Sequence, residues 1–158
     1  MRLTALTTLL ALGPLACGGE KKADASQAAT TPAASQAAPA TTTDAAAAVV
    51  EVKMTGNGST KAAFEPSTLT IKPGTVVRFL NVSGGPHNVA FYADSIPKGA
   101  AEALKKGMPN PMGDLMSPFL TQPSEKYEVS FVGAPVGKYR VYCMPHVALG
   151  MAATITVQ

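Results

Sequence analysis

Near the end of this 158-residue chain, one short stretch, Tyr142-Cys143-Met144-Pro145-His146-Val147-Ala148-Leu149-Gly150-Met151, carries a thiol, an imidazole and a thioether. These side chains form a ligand set rather than a core segment. Cysteine and methionine sulfur are soft and histidine nitrogen is borderline, so the spacing C-x2-H-x4-M suits copper far better than magnesium, calcium or manganese. The chain has 2 histidines, and the other, His87, sits in Gly84-Gly85-Pro86-His87-Asn88. The expected centre is His87, Cys143, His146 and Met151 around one copper ion.

A copper that alternates between two oxidation states needs a coordination sphere that hardly rearranges. Two imidazoles and a thiolate in a trigonal plane, with a long and weak methionine bond, meet that need and define a blue-copper site. Cys143 is expected to end a strand and Met151 to begin the next, with the turn between them folding His146 back to the same point. His87 is expected to arrive from the end of a neighbouring strand, held by Pro86. Among their neighbours, Pro145 lacks an N–H and so limits hydrogen bonding to the thiolate. Asn88 is placed to tie the His87 loop to the Cys143 loop, and Gly150 permits the turn before Met151. Tyr142, next to the thiolate, reads either as part of an electron path or as a plain strand tyrosine.

Other chemistries fit less well. A structural zinc site wants four Cys or His ligands, a Cys–His nucleophile pair lacks a third orienting residue, and a Cys17–Cys143 disulfide would consume the thiol. Two histidines do not supply the further sites of a multicopper oxidase or nitrite reductase, so no enzyme activity is expected. Met108, Met112 and Met116 recur every fourth residue and offer a second, thioether-rich Cu(I) site. Intervening prolines and Gly113 break any helix that would align them, and flexible packing is the stronger reading.

The elements that position these residues begin at Val49, where the texture changes to short β-prone runs separated by Gly, Pro, Asn and Ser. Strands are expected near 49–54, 68–72, 75–81, 88–92, 126–131, 137–142 and 152–157. Leu69 and Ile71, then Tyr127, Val129 and Phe131, then Ile155 and Val157 keep the period of two that turns one face inward. The fold class is all-β: a Greek-key sandwich of two antiparallel sheets, with one short helix over 95–107 that Ser95 caps and Gly107 ends. Charge is nearly balanced, 13 Lys and Arg against 10 Asp and Glu, and the basic residues form no long run, which gives no nucleic-acid footprint.

Ahead of this domain, residues 1–16 carry one positive charge and a short apolar run, which reads as a signal peptide. Residues 17–48, rich in Ala, Thr and Pro, bury too little to fold and read as a disordered linker with a root-mean-square span of roughly 30 Å. Leu15-Ala16-Cys17-Gly18-Gly19 resembles a bacterial lipobox, which implies lipidation of Cys17 and an extracytoplasmic or periplasmic domain anchored to a membrane.

Phe64 to Gly74, Pro86-His87-Asn88-Val89, and Tyr142 to Met151 together resemble a plastocyanin or pseudoazurin cupredoxin over most of residues 49–158. The resemblance implies a single type 1 copper with His87, Cys143, His146 and Met151 as ligands. It also implies a docking patch where the His146 edge emerges, with Gly84, Gly85, Pro86, Pro145, Val147, Ala148 and Leu149 as its candidates. The expected function is one-electron transfer to and from redox proteins such as cytochromes or membrane oxidoreductases, by a monomer. The alternative is a copper-binding or delivery protein with no dedicated redox partner. Acidic docking clusters like those of plant plastocyanins are not evident.

Overall fold

The computed structural model describes residues 47–158. The expected signal peptide, Cys17 and all but the last two residues of the expected linker lie outside the described residues. Eight strands build two four-stranded sheets. β1 (Val49–Gly56), β2 (Ala62–Glu65), β4 (Val76–Asn81) and β6 (Lys126–Ser130) form the first, in the order β2-β1-β4-β6. β3 (Thr68–Ile71), β5 (Ala90–Phe91), β7 (Gly137–Tyr142) and β8 (Ala152–Val157) form the second, in the order β3-β8-β7-β5.

The sheets face each other through the alternation read from the sequence. Ile71, Tyr127, Val129, Phe131, Ile155 and Val157 are buried, and Leu69 packs against them half-buried. Aromatic edges lock the middle of the sandwich: Phe64 meets Phe79 at 5.9 Å between ring centroids and Phe131 meets Tyr139 at 5.3 Å, the edge-to-face geometry that ring quadrupoles favour.

The sheets are mixed rather than purely antiparallel. β1 runs parallel to β4 and β3 runs parallel to β8. After the β1–β2 hairpin the chain crosses to the second sheet as β3, then re-enters the first beside β1 in the same direction. Side-chain alternation reports which face is buried, not which way a strand runs. β2 is a strand the sequence did not signal, because Ala62-Ala63-Phe64-Glu65 has one strong β former among four residues. It forms once the Asn57 side chain accepts N–H groups from Ser59, Thr60 and Lys61 and turns the chain back.

The helix, α1 (Ala100–Gly107), is shorter at its start than the expected 95–107. The Ser95 hydroxyl donates to Asp94 Oδ1 instead of capping, and the Ser95 carbonyl accepts the Arg140 N–H, which ties this residue to β7. Gly99, at φ 82, turns the chain into the helix. No helix among the described residues is long and apolar enough to cross a membrane.

Candidate metal centre

Strand directions bring three loop segments to one end of the sandwich. β4 ends at Asn81 and leads into Ser83–His87. β7 ends at Tyr142 and delivers Cys143, which is followed by a 3-10 segment, Met144–Leu149, before β8 begins. Residues 117–122 run alongside. Gly84, at φ 77, allows the first loop to pass against β1, since a Cβ there would overlap the Gly56 backbone.

The result is a cluster of three buried ligands. Cys143 Sγ lies 3.6 Å from His87 Nδ1 and 3.5 Å from His146 Nδ1, and the three donor atoms all lie within 4.8 Å of one another. His87 and Cys143 are fully buried and His146 is 5% exposed. For zinc, whose bond lengths guide those of a first-row neighbour, metal–N near 2.0 Å and metal–S near 2.3 Å at trigonal angles put N and S about 3.7 Å apart. The observed spacings fit one ion between these atoms with little movement.

The tautomer of His87 is set by its surroundings. Nε2–H donates to the Ser83 carbonyl at 2.9 Å, which leaves Nδ1 without its proton and pointing at the cluster. Backbone pairing fixes the residue from the other side, because His87 N–H donates to the Leu120 carbonyl at 3.0 Å and Leu120 N–H returns the bond at 2.8 Å. Leu120 is held in turn by Asn81, whose buried amide donates to the carbonyls of Leu120 and Gln122, each at 3.0 Å. Ser83, Leu120 and Asn81 were not singled out in the sequence. The first two act through the backbone, which leaves no residue-type signal, whereas a buried asparagine closing the apolar β4 is a signal that could have been read.

Asn88 bridges the two loops. Its backbone N–H donates to Cys143 Sγ at 3.4 Å, and its side-chain oxygen accepts the Met144 N–H at 2.8 Å. Pro145 opens the 3-10 segment, where its missing N–H leaves no donor unsatisfied. Gly150 adopts φ 78, and its N–H caps the carbonyls of His146 and Val147. Met151 is buried at 1% exposure, its N–H donating to the His146 carbonyl and its carbonyl accepting the Cys143 N–H. Those two bonds set Met151 beside both residues.

Burial pushes the Cys143 thiol above its ordinary pKa, opposed by backbone hydrogen bonds from Asn88 and His146. Burial also lowers the pKa of His87, the Ser83 carbonyl works against that shift, and the neighbouring His146 adds to it. A neutral imidazole is the form that ligates, and a bound cation would favour the thiolate outright. One thiolate and two imidazoles in a buried pocket fit a single type 1 copper.

Around this buried cluster, Gly85, Pro86, Pro145, Val147, Ala148 and Leu149 are exposed and Gly84 is half-buried. The other methionines divide. Met108 is 3% exposed and belongs to the core, whereas Met112 is 49% exposed, and helix α1 ends before either could be aligned with Met116.

Similarity to known proteins agrees with the geometry. A family model described as copper binding proteins, plastocyanin/azurin family, matches residues 50–158. Plastocyanin of Scenedesmus fuscus is 42% identical over 110 residues, covering 69% of this chain and 99% of that protein. Plastocyanin of Nostoc punctiforme is 38% identical over 109 residues, covering 68% of this chain and 73% of the relative. Among solved structures, oxidized plastocyanin from Dryopteris crassirhizoma superposes with a TM-score of 0.54 at 26% identity, covering 69% of this chain and all of that one. With its fold, its ligand cluster and these relatives in agreement, the chain belongs to the plastocyanin/azurin family of copper-binding proteins, a family of electron carriers rather than enzymes.

Proposed function

We propose that this protein is an extracytoplasmic one-electron carrier whose single copper is held by His87, Cys143, His146 and Met151. The observation that carries the reading is the convergence of His87 Nδ1 and His146 Nδ1 on Cys143 Sγ, at 3.6 and 3.5 Å, in a buried pocket. Bound copper supplies Cu(II)/Cu(I) chemistry, one electron at a time. The protein's part is to hold the donors still. The Ser83 carbonyl fixes the His87 ring, Asn88 pins one loop to the other, and the two Met151 backbone bonds close the pocket. Because these restraints come from hydrogen bonds within the protein rather than from the ion, the donor positions need little adjustment between charge states, which is what fast electron exchange requires.

His146 is the edge through which electrons pass. It is the most exposed of the four ligands, and the apolar rim of Gly85, Pro86, Val147 and Leu149 is where redox proteins such as cytochromes or membrane oxidoreductases dock. The protein works as a monomer, tethered through a lipid on Cys17 after removal of residues 1–16, with residues 17–48 as the linker. Two experiments test this reading. Reductive titration of the copper-loaded protein should consume one electron per copper and reverse fully on reoxidation; release of the metal to a Cu(I) acceptor on reduction would instead favour copper delivery. Partition into detergent should be lost in Cys17→Ala, and unchanged partition would refute the anchor.

A further inference from the structure

The end of the sandwich opposite the metal loop has a surface chemistry of its own. Parallel pairing of Val49 with Val76, and antiparallel pairing of Val76 with Ser130, set the start of β1, the start of β4 and the end of β6 at that pole. The loop after β6 packs on the turn before β4, with Gly74 N–H donating to the Phe131 carbonyl and Phe131 N–H donating to that of Thr75.

Three valines stand out there. Val132 is 64% exposed, Val136 65% and Val49 48%, and the first two have greater exposure than Val147, Met144 or Leu149 beside the metal loop. Exposed Lys72, Lys98 and Lys138 flank them. Lys72 lies in the turn before β4, Lys138 follows the loop directly, and Lys98 follows Pro97, which lies against Gly137. Segments 47–49, 72–76, 96–99 and 131–138 contain no Asp or Glu. Of the next acids along β1 and β6, Glu128 is already paired with Arg78 at 2.8 Å. The surface is open at both turns, since a Cβ built at Gly74 or Gly133 would meet nothing within 4 Å.

We propose that this pole, Val132 and Val136 framed by Lys72, Lys98 and Lys138, rests on an anionic lipid bilayer. An exposed apolar tip flanked by three cations matches a deformable surface that offers negative headgroups above an apolar layer. Long lysine side chains keep their charge among the headgroups while their stems follow the valines inward. Where the chain enters points the same way. Val76 N–H donates to the Ala48 carbonyl, so the residues preceding 47 join the domain at this pole and not beside the metal loop. A domain seated this way turns its metal loop to the opposite side, free for a soluble partner.

The test reads amide hydrogen exchange in the full chain carrying Cys17→Ala, so that no attached lipid contributes. It uses vesicles of phosphatidylcholine with phosphatidylglycerol and, separately, of phosphatidylcholine alone. Exchange over 131–137 is expected to slow severalfold on the anionic vesicles and to recover in high salt, where screening removes the attraction. Exchange over 144–149 should not change. The Val132→Asp/Val136→Asp pair should abolish the protection, and its unaltered copper spectrum would show the fold intact. The proposal is overturned by unchanged exchange over 131–137, by equal protection on neutral vesicles, or by protection over 144–149 instead. Protection that grows with protein concentration in the absence of vesicles would assign the face to a second copy of the chain. None of these outcomes bears on the electron-carrier reading, which stands or falls on the copper site.

Discussion

The backbone N–H of Asn88 donates to the sulfur of Cys143 at 3.4 Å, while the side chain of the same asparagine holds the next residue, Met144, at 2.8 Å. A single residue therefore addresses the ligand through its main chain and the ligand loop through its amide. These two roles are separable by substitution. Replacing Asn88 by Ala removes the loop tie and keeps the N–H to sulfur, so copper affinity should fall about 10–100-fold, the usual cost of losing an outer partner. Competition against a chelator of known strength measures it; an unchanged affinity would show that the loops hold each other without the amide.

Asn81 acts one step further out. Asn81→Ala leaves the Leu120 and Gln122 carbonyls without their side-chain partner, and the loss of one buried and one partly buried hydrogen bond should cost about 1–3 kcal/mol. Urea unfolding of the metal-free protein checks this, with an unchanged midpoint as the contrary result.

Stability should also respond to alkaline pH through Tyr127. Burial raises its pKa from 10.0 to about 12, and its hydroxyl donates to the Pro109 carbonyl at 2.9 Å. The folded-state value lies above the unfolded one. The contribution is therefore complete below pH 10 and is lost as pH rises from there to about 12, because the unfolded chain releases the proton first. Thermal melts across that window should show the decline, and Tyr127→Phe should flatten it.

A charge on the apolar rim should slow electron exchange without touching the metal. Val147 is 47% exposed and lies next to His146. Val147→Asp sets like charges against each other when two copies meet face to face, so electron self-exchange should drop at least tenfold on the order of magnitude expected for such steering. Line broadening in mixtures of oxidised and reduced protein reports the rate. An unchanged rate, with the visible spectrum intact, would move the electron path away from this rim.

What was legible in advance followed from side-chain type. The ligand cluster was readable because sulfur and imidazole at that spacing have few other uses, and the core was readable because Tyr127, Val129 and Phe131 keep a period of two. Direction and backbone chemistry left no such trace. The parallel β1–β4 pairing follows from how loops cross between sheets, and β2 is a strand because of the turn that precedes it rather than its own alanines. The bond from His87 Nε2–H to the Ser83 carbonyl, which selects the ligating nitrogen, would be the same with almost any residue at position 83. Ser95 misled for a related reason: its backbone was already committed to Tyr92 and Arg140, so the helix began later, after Gly99.

The central claim is that Cys143 binds copper as a thiolate within this cluster. It is tested most directly by adding one equivalent of Cu(II) to the metal-free protein and recording the visible spectrum. An intense sulfur-to-copper band that saturates at one copper per chain and is absent from Cys143→Ser is the predicted result. A copper-loaded wild-type protein with no such band would contradict it.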